Sequence, residues 1–133
     1  MQIRDFRDLE VWQKSMDLAV DVYTIARRFP REERFELTSQ LRKAVVSVSS
    51  NIAEGSGRAT TKDLLNFLAT ARGSLRESES LLLLSQRLGY VSEHDLKAVI
   101  QLVHRVGQML TALRKKLRTK LKKKKTQSGK PRA

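Results

Sequence analysis

Apolar positions recur at the three-and-four spacing of an α-helix in four successive segments, and nowhere do they alternate as half-buried strands require. The first segment runs from about Asp8 to Phe29, where Leu9, Trp12, Met16, Ala19, Tyr23 and Ala26 form a seam suited to a bundle core. A second strip on the same helix, Val11, Leu18, Val22, Ile25 and Phe29, lies roughly 100–120° away at 3.6 residues per turn. Only Glu10, Gln13, Lys14, Asp17, Asp21 and Thr24 are left for the wet side. With the seam spent on the core, the second strip is expected to form an oligomer interface.

Pro30 ends this helix, because its ring and missing N–H cannot continue the ladder. A second helix opens between about Glu32 and Thr38, carries Leu37, Leu41, Ala44, Val45, Val48 and Ile52 inward, and is expected to stop at Gly55-Ser56-Gly57. Thr60 or Thr61 can cap a third, with Leu64, Leu68, Ala71, Leu75, Ser78 and Leu82 at heptad spacing and Gly89 as its C′ residue. Ser92-Glu93-His94-Asp95 resembles a capping box and opens the fourth, whose stripe is Leu96, Val99, Val103, Val106, Leu110, Leu113, Leu117 and Leu121.

Four amphipathic helices on short connections predict an all-α, antiparallel up-down-up-down four-helix bundle. The fourth helix, about 43 Å long against about 33 Å for the first, should project past the bundle by its last turns. Residues 1–113 are therefore read as the bundle, and 114–133 as an arm that is helical at first and disordered after Lys125.

A length of 133 residues suits one domain with a tail. The absence of cysteine excludes disulfides and thiolate metal sites. Arg4, Asp5, Arg7 and Asp8 interrupt any leader-like run, and no segment approaches the roughly 20 apolar residues of a membrane span. A cytoplasmic protein with no membrane partner is expected.

Charge changes the picture more than composition does. Residues 1–95 hold 14 Lys and Arg against 14 Asp and Glu, whereas residues 96–133 hold 13 Lys and Arg and no acid. The whole net charge of +13 thus sits on the last part of the chain. Local density of cations sets counterion release, so the pattern points to a polyanion held by Arg114, Lys115, Lys116, Arg118, Lys120, Lys122, Lys123, Lys124 and Lys125. Leu113, Leu117 and Leu121 keep helical spacing among these charges, which favours an ordered basic helix over a loose solubilising tail. The arm has no Trp or Phe to insert into a bilayer, so nucleic acid fits better than a membrane surface.

Catalytic chemistry finds little footing. His94 and His104 are ten residues apart on one helix, about 280° around it, and cannot share a metal within a protomer. The stretch Asn51-Ile52-Ala53-Glu54-Gly55-Ser56-Gly57-Arg58 could cradle a phosphate, but it lacks the Gly-Lys-Ser/Thr ending of a P-loop and follows no strand, so a helix end and tight turn is the better reading. Trp12 and Tyr23 at helical spacing read as core or interface aromatics. Glu77 and Glu79 point to divergent faces and read as solvated charge. No catalytic residue, no metal ligand and no cofactor is expected.

Several strings are together more specific than the periodicity. They are Phe6-Arg7-Asp8-Leu9 with Val11-Trp12-Gln13-Lys14, Phe29-Pro30, Ser39-Gln40-Leu41-Arg42, Asn51-Ile52-Ala53-Glu54-Gly55 with Gly57-Arg58, Phe67-Leu68, and Ala71-Arg72-Gly73-Ser74-Leu75. In this order over about residues 3–110, the chain resembles the four-helix bundle proteins named for their occurrence in 23S rRNA intervening sequences. It departs from them at Glu36, where the family often has Gly, and at Glu77-Ser78-Glu79, which varies a Glu-Leu-Glu pattern.

Members of that family are similar to the accessory variability determinant of diversity-generating retroelements, a pentameric basic bundle. The resemblance implies a homopentamer with a nucleic-acid (RNA or DNA) or reverse-transcriptase partner, in the context either of a diversity-generating retroelement or of an rRNA intervening sequence. The expected function is therefore a non-enzymatic nucleic-acid-binding accessory protein. The alternative is a protein–protein interaction module that docks a partner enzyme without its own nucleic-acid role.

Overall fold

The computed structural model describes residues 5–128, with side chains through residue 125. A short 3₁₀ turn, Phe6–Asp8, leads into α1 (Glu10–Ala26), and a second, Arg31–Glu33, precedes α2 (Leu37–Ser56). Helix α3 spans Thr61–Arg87 and α4 spans Glu93–Ser128. Contacts join α1 to α2, α2 to α3, α3 to α4 and α4 back to α1, which makes a closed four-helix ring, with the broadest contact between α2 and α3. The all-α bundle read from the periodicity is the fold observed.

The helix ends follow local chemistry. Thr60 Oγ1 accepts the Asp63 N–H at 3.1 Å and Ser92 Oγ accepts the Asp95 N–H at 3.0 Å, so both predicted caps are in place. At the end of α3, Gly89 takes φ +80°; its N–H bonds to Gln86 O, and the Tyr90 N–H bonds to Ser85 O. This is a Schellman cap, in which the left-handed residue satisfies two carbonyls left over by the helix. The Tyr90 O–H then donates to Glu33 at 2.8 Å, tying the α3–α4 turn to the α1–α2 connection; this bond to a carboxylate pushes the phenol above its ordinary value.

Helix α2 ends at Ser56 with Gly57 as its C-cap, inside the expected stop Gly55-Ser56-Gly57, and Gly55 has a packing role besides. It lies inside the helix and is buried, and a Cβ there would stand 2.7 Å from Phe67 Cβ. Glycine at this position lets α2 and α3 approach closely. The rest of the glycine-rich segment is structural as well: Asn51 donates to Ser47 O, while Arg58 pairs with Glu54 at 3.2 Å and stacks over Phe67. The segment forms the helix end and turn that the sequence suggested.

The two strips of α1 are exchanged relative to expectation. Val11, Leu18, Val22, Ile25 and Phe29, expected at an oligomer interface, are buried in the core of the single chain. Of the seam expected in the core, Ala26 is buried and Leu9, Trp12 and Ala19 lie at its margin, whereas Met16 and Tyr23 are exposed by 40% and 36%. Both strips have helical period, and period says nothing about the rotation of a helix about its axis. That rotation is set by packing, with the small, fully buried Ser15 beside Leu18 and Val22 on the inner face. Helix α1 also ends at Ala26, three residues short of Phe29, and the intervening turn carries Phe29 back into the core.

Helix α4 is longer and better anchored than expected. Its 36 residues span about 54 Å. Leu117 is only 2% exposed and Leu121 is half-buried, so the core runs past the boundary drawn at residue 113. Residues 126–128, expected to be disordered, continue the helix, while the expectation for 129–133 lies outside the described residues.

Candidate nucleic-acid interface

The arm is built on two apolar anchors. Leu113 and Leu117 hold α4 against the bundle core, Leu121 is half-buried beyond them, and every other side chain of residues 114–125 except Thr119 is cationic. Lys115, Lys116, Arg118, Lys120, Lys122, Lys123, Lys124 and Lys125 are exposed, and Arg114 is half-buried. The anchors orient the helix, so these nine cations decorate a fixed rod. Of these, Lys125 lies in the last turn of α4, where the helix dipole favours positive charge by about 0.3–1 kcal/mol at low salt. Against that, Arg114, Arg118 and Lys122 follow one another at i, i+4, as do Lys116, Lys120 and Lys124, and each such like-charge pair costs about 0.2–0.5 kcal/mol.

Antiparallel packing brings other cations to this rod. A Cβ at Gly107 would lie 3.5 Å from Leu75 Cδ2, and His104 Nε2 is 3.0 Å from Glu79 Oε2. The same register carried down the pair sets Lys62 of α3 beside the end of the arm. There a crevice is lined by Ala59, Thr60, Thr61, Lys62, Lys120, Leu121, Lys124 and Lys125. One turn from the anchors, Arg72 of α3 comes near Arg114, whose guanidinium feels the charges of both Arg118 and Arg72.

Arg114 stands out electrostatically. Partial burial and the neighbouring Arg118 and Arg72 lower its pKa from the ordinary arginine value. Its Nε is buried and makes no hydrogen bond among the described residues. A buried donor without a partner costs about 1–3 kcal/mol, so this end of the bundle is held together with an unmet hydrogen bond.

Sequence reasoning grouped the arm correctly as one basic segment, but it missed Arg72 and Lys62. The available signal was positional: Arg72 follows the core residue Ala71 at the edge of the Leu68–Leu75 stripe, where an antiparallel neighbour must pass. Arg42 and Arg58 are engaged otherwise, Arg42 stacking 5.1 Å over Tyr23. Glu79 also differs from its reading as solvated charge, because its side chain is 18% exposed and accepts from Arg76 at 3.0 Å while bonding His104. Glu77 stays exposed beside Gln40.

Among the described residues, no group of three His, Cys, Asp or Glu is placed to hold a metal, and no helix is long and apolar enough to cross a membrane. His94 and His104 line one shallow cleft with Leu83, Ile100 and Glu93.

Residues 7–112 match the family model of the 23S rRNA-intervening sequence protein. The chain belongs to this family. Its fold is similar to a crystal structure, at 1.70 Å resolution, of a protein with unknown function from the S23 ribosomal protein family of Bacteroides thetaiotaomicron. The two are 23% identical and superpose with a TM-score of 0.73 over 79% of this chain and 98% of the other. No curated protein matches the chain. The family match ends at residue 112, just before the nine cations of the arm, so the basic rod lies beyond the matched region.

Proposed function

We propose that this 23S rRNA-intervening sequence family member is a non-enzymatic, cytoplasmic accessory protein that holds RNA or DNA through backbone phosphates. The observation that carries this reading is the rod itself: nine Lys and Arg in twelve residues, free of acids, on a helix seated by Leu113 and Leu117. Cations held in a row meet a phosphate chain without first being ordered, and such contacts give affinity with little sequence selectivity. By its family resemblance the protein acts as a homopentamer beside a reverse transcriptase of a diversity-generating retroelement, or in the context of an rRNA intervening sequence.

The second reading, a module that docks a partner enzyme, draws on Leu83, Leu84 and Leu88, exposed large apolar side chains near the end of α3. The two readings separate in one titration. If five or six arm cations meet phosphates, the logarithm of affinity for duplex DNA falls with log salt at a slope of about −4 to −5. Replacing Lys122, Lys123, Lys124 and Lys125 by Gln flattens that slope and leaves the melting temperature near the wild-type value. Absence of retention on DNA or RNA near physiological salt sinks the first reading and leaves the second.

A further inference from the structure

The α3–α4 groove contains an arginine cluster that the protein itself does not neutralise. Arg114 and Arg118 are neighbours at i, i+4 on α4, and the antiparallel register set by Gly107 against Leu75 and His104 against Glu79 brings Arg72 of α3 within a turn of Arg114, whose guanidinium feels its charge. Among the described residues, none of the three side chains makes an ion pair or a hydrogen bond, and the Arg114 Nε is buried without a partner. Elsewhere Arg7 has Asp5, Arg28 has Asp95, Arg58 has Glu54, Arg76 has Glu79 and Arg105 has Glu10, while Arg27, Arg31, Arg34, Arg42 and Arg87 stand singly without an ion pair among the described residues. Here the chain supplies no carboxylate. Glu79, the nearest acid up the groove, is taken by Arg76 and His104. Asp63, the one acid in the first half of α3, lies about 180° around the helix from Arg72, and α4 has no acid after Asp95.

We propose that Arg72, Arg114 and Arg118 form a clamp for phosphate oxyanions on the folded body, at which a nucleic-acid backbone is anchored before it runs along the arm. Three features favour a phosphate over other anions. Guanidinium groups bind tetrahedral oxyanions through paired N–H donors, and the buried Arg114 Nε is a donor still in want of an acceptor. The groove walls are two helices, which offer no strand edge to an acidic peptide. Past Arg118 the same edge of α4 continues as Lys122 and Lys125 at rises of about 6 Å and 4.5 Å, a row that follows a strand whose phosphates recur every 3.4 Å or so along its axis. Bringing one anion among three cations also removes their mutual repulsion, so the site gains most from a ligand of high charge.

The clamp rests on the nucleic-acid reading for the source of its phosphate, but not for its existence. The full-length chain is compared with R72Q and R118Q, both at exposed positions where Gln is a good helix former, and with R27Q, which removes the same charge from the exposed end of α1. Inorganic tripolyphosphate, followed by thermal shift, should raise the melting temperature of the wild type and R27Q, and raise that of R72Q and R118Q by less than half as much. R72Q should also lose about fivefold in affinity for a short DNA duplex near physiological salt, with the salt slope reduced by about 0.9, the effect of one phosphate contact. Equal tripolyphosphate shifts in R72Q and R27Q overturn the clamp. A shift that depends on Arg72 in a protein that fails to hold duplex keeps the clamp as a site for free polyphosphate and removes the function proposed above.

Discussion

At the scale of single residues, two glycines illustrate two separate reasons for having no side chain. Gly55 sits in an ordinary helical conformation, but its position is occupied by Phe67, whose Cβ a new methyl group would meet at 2.7 Å. Gly89 has open space around it and is required only by its φ of +80°. Gly55→Ala should therefore force α2 from α3 and cost about 1–3 kcal/mol with a change in near-ultraviolet circular dichroism, as overpacking does. Gly89→Ala should cost about 1–2 kcal/mol, the penalty of a left-handed L-residue, with the tertiary signal unchanged. Urea unfolding of the two variants checks both values. The sequence marked Gly89 as a cap and Gly55-Ser56-Gly57 as the end of α2 because both patterns are local, whereas the close contact of Gly55 was not legible, because the residue it touches is twelve positions away on another helix.

Among elements, α4 is the one that joins fold to proposed function. Its stripe runs without a break from Leu96 to Leu117, and the first cations of the arm are interleaved with the last core residues. Cutting the chain after Arg114 should therefore lower stability by about 2–5 kcal/mol, because Leu117 leaves a packed site. Cutting it after Leu121 should leave the melting temperature nearly unchanged while nucleic-acid affinity falls. Melting curves of both truncations, read beside duplex binding, test whether core and interface overlap as the burial of Leu117 indicates. Equal stability of the two would place the end of the core near residue 113 after all.

Considered as a whole, the ring order α1-α2-α3-α4 puts two unlike surfaces on opposite sides. The α3–α4 side is basic along the arm. On the α1–α2 side Met16, Val20, Tyr23 and Val46 are exposed, Val20 by 64%, with Arg42 laid over Tyr23. This apolar side, rather than the strip buried in the core, is a surface on which the proposed self-association can rest, as are Leu83, Leu84 and Leu88 near the end of α3. Val20→Asp should keep the helix content and the melting profile of the protomer and reduce the assembled species to 15.2 kDa in sedimentation. A wild-type chain that sediments as a 15.2 kDa monomer across micromolar concentrations would remove the oligomer from the proposal. Assembly through one side would leave the basic grooves directed elsewhere, so that several arms act on one strand at high effective concentration.

The sequence by itself determined where the helices lie, how Thr60, Gly89 and Ser92 end or begin them, and that all the excess charge falls on the last part of the chain. These features depend on residues a few positions apart, so spacing and local hydrogen bonding are enough to read them. Which strip of α1 meets the core, how far α4 stays packed, and that Arg72 of α3 comes near Arg114 were decided only by the tertiary structure. The reason is geometric: a helical period leaves rotation about the axis and register against a neighbour undefined, and both are set by side chains that arrive from other helices.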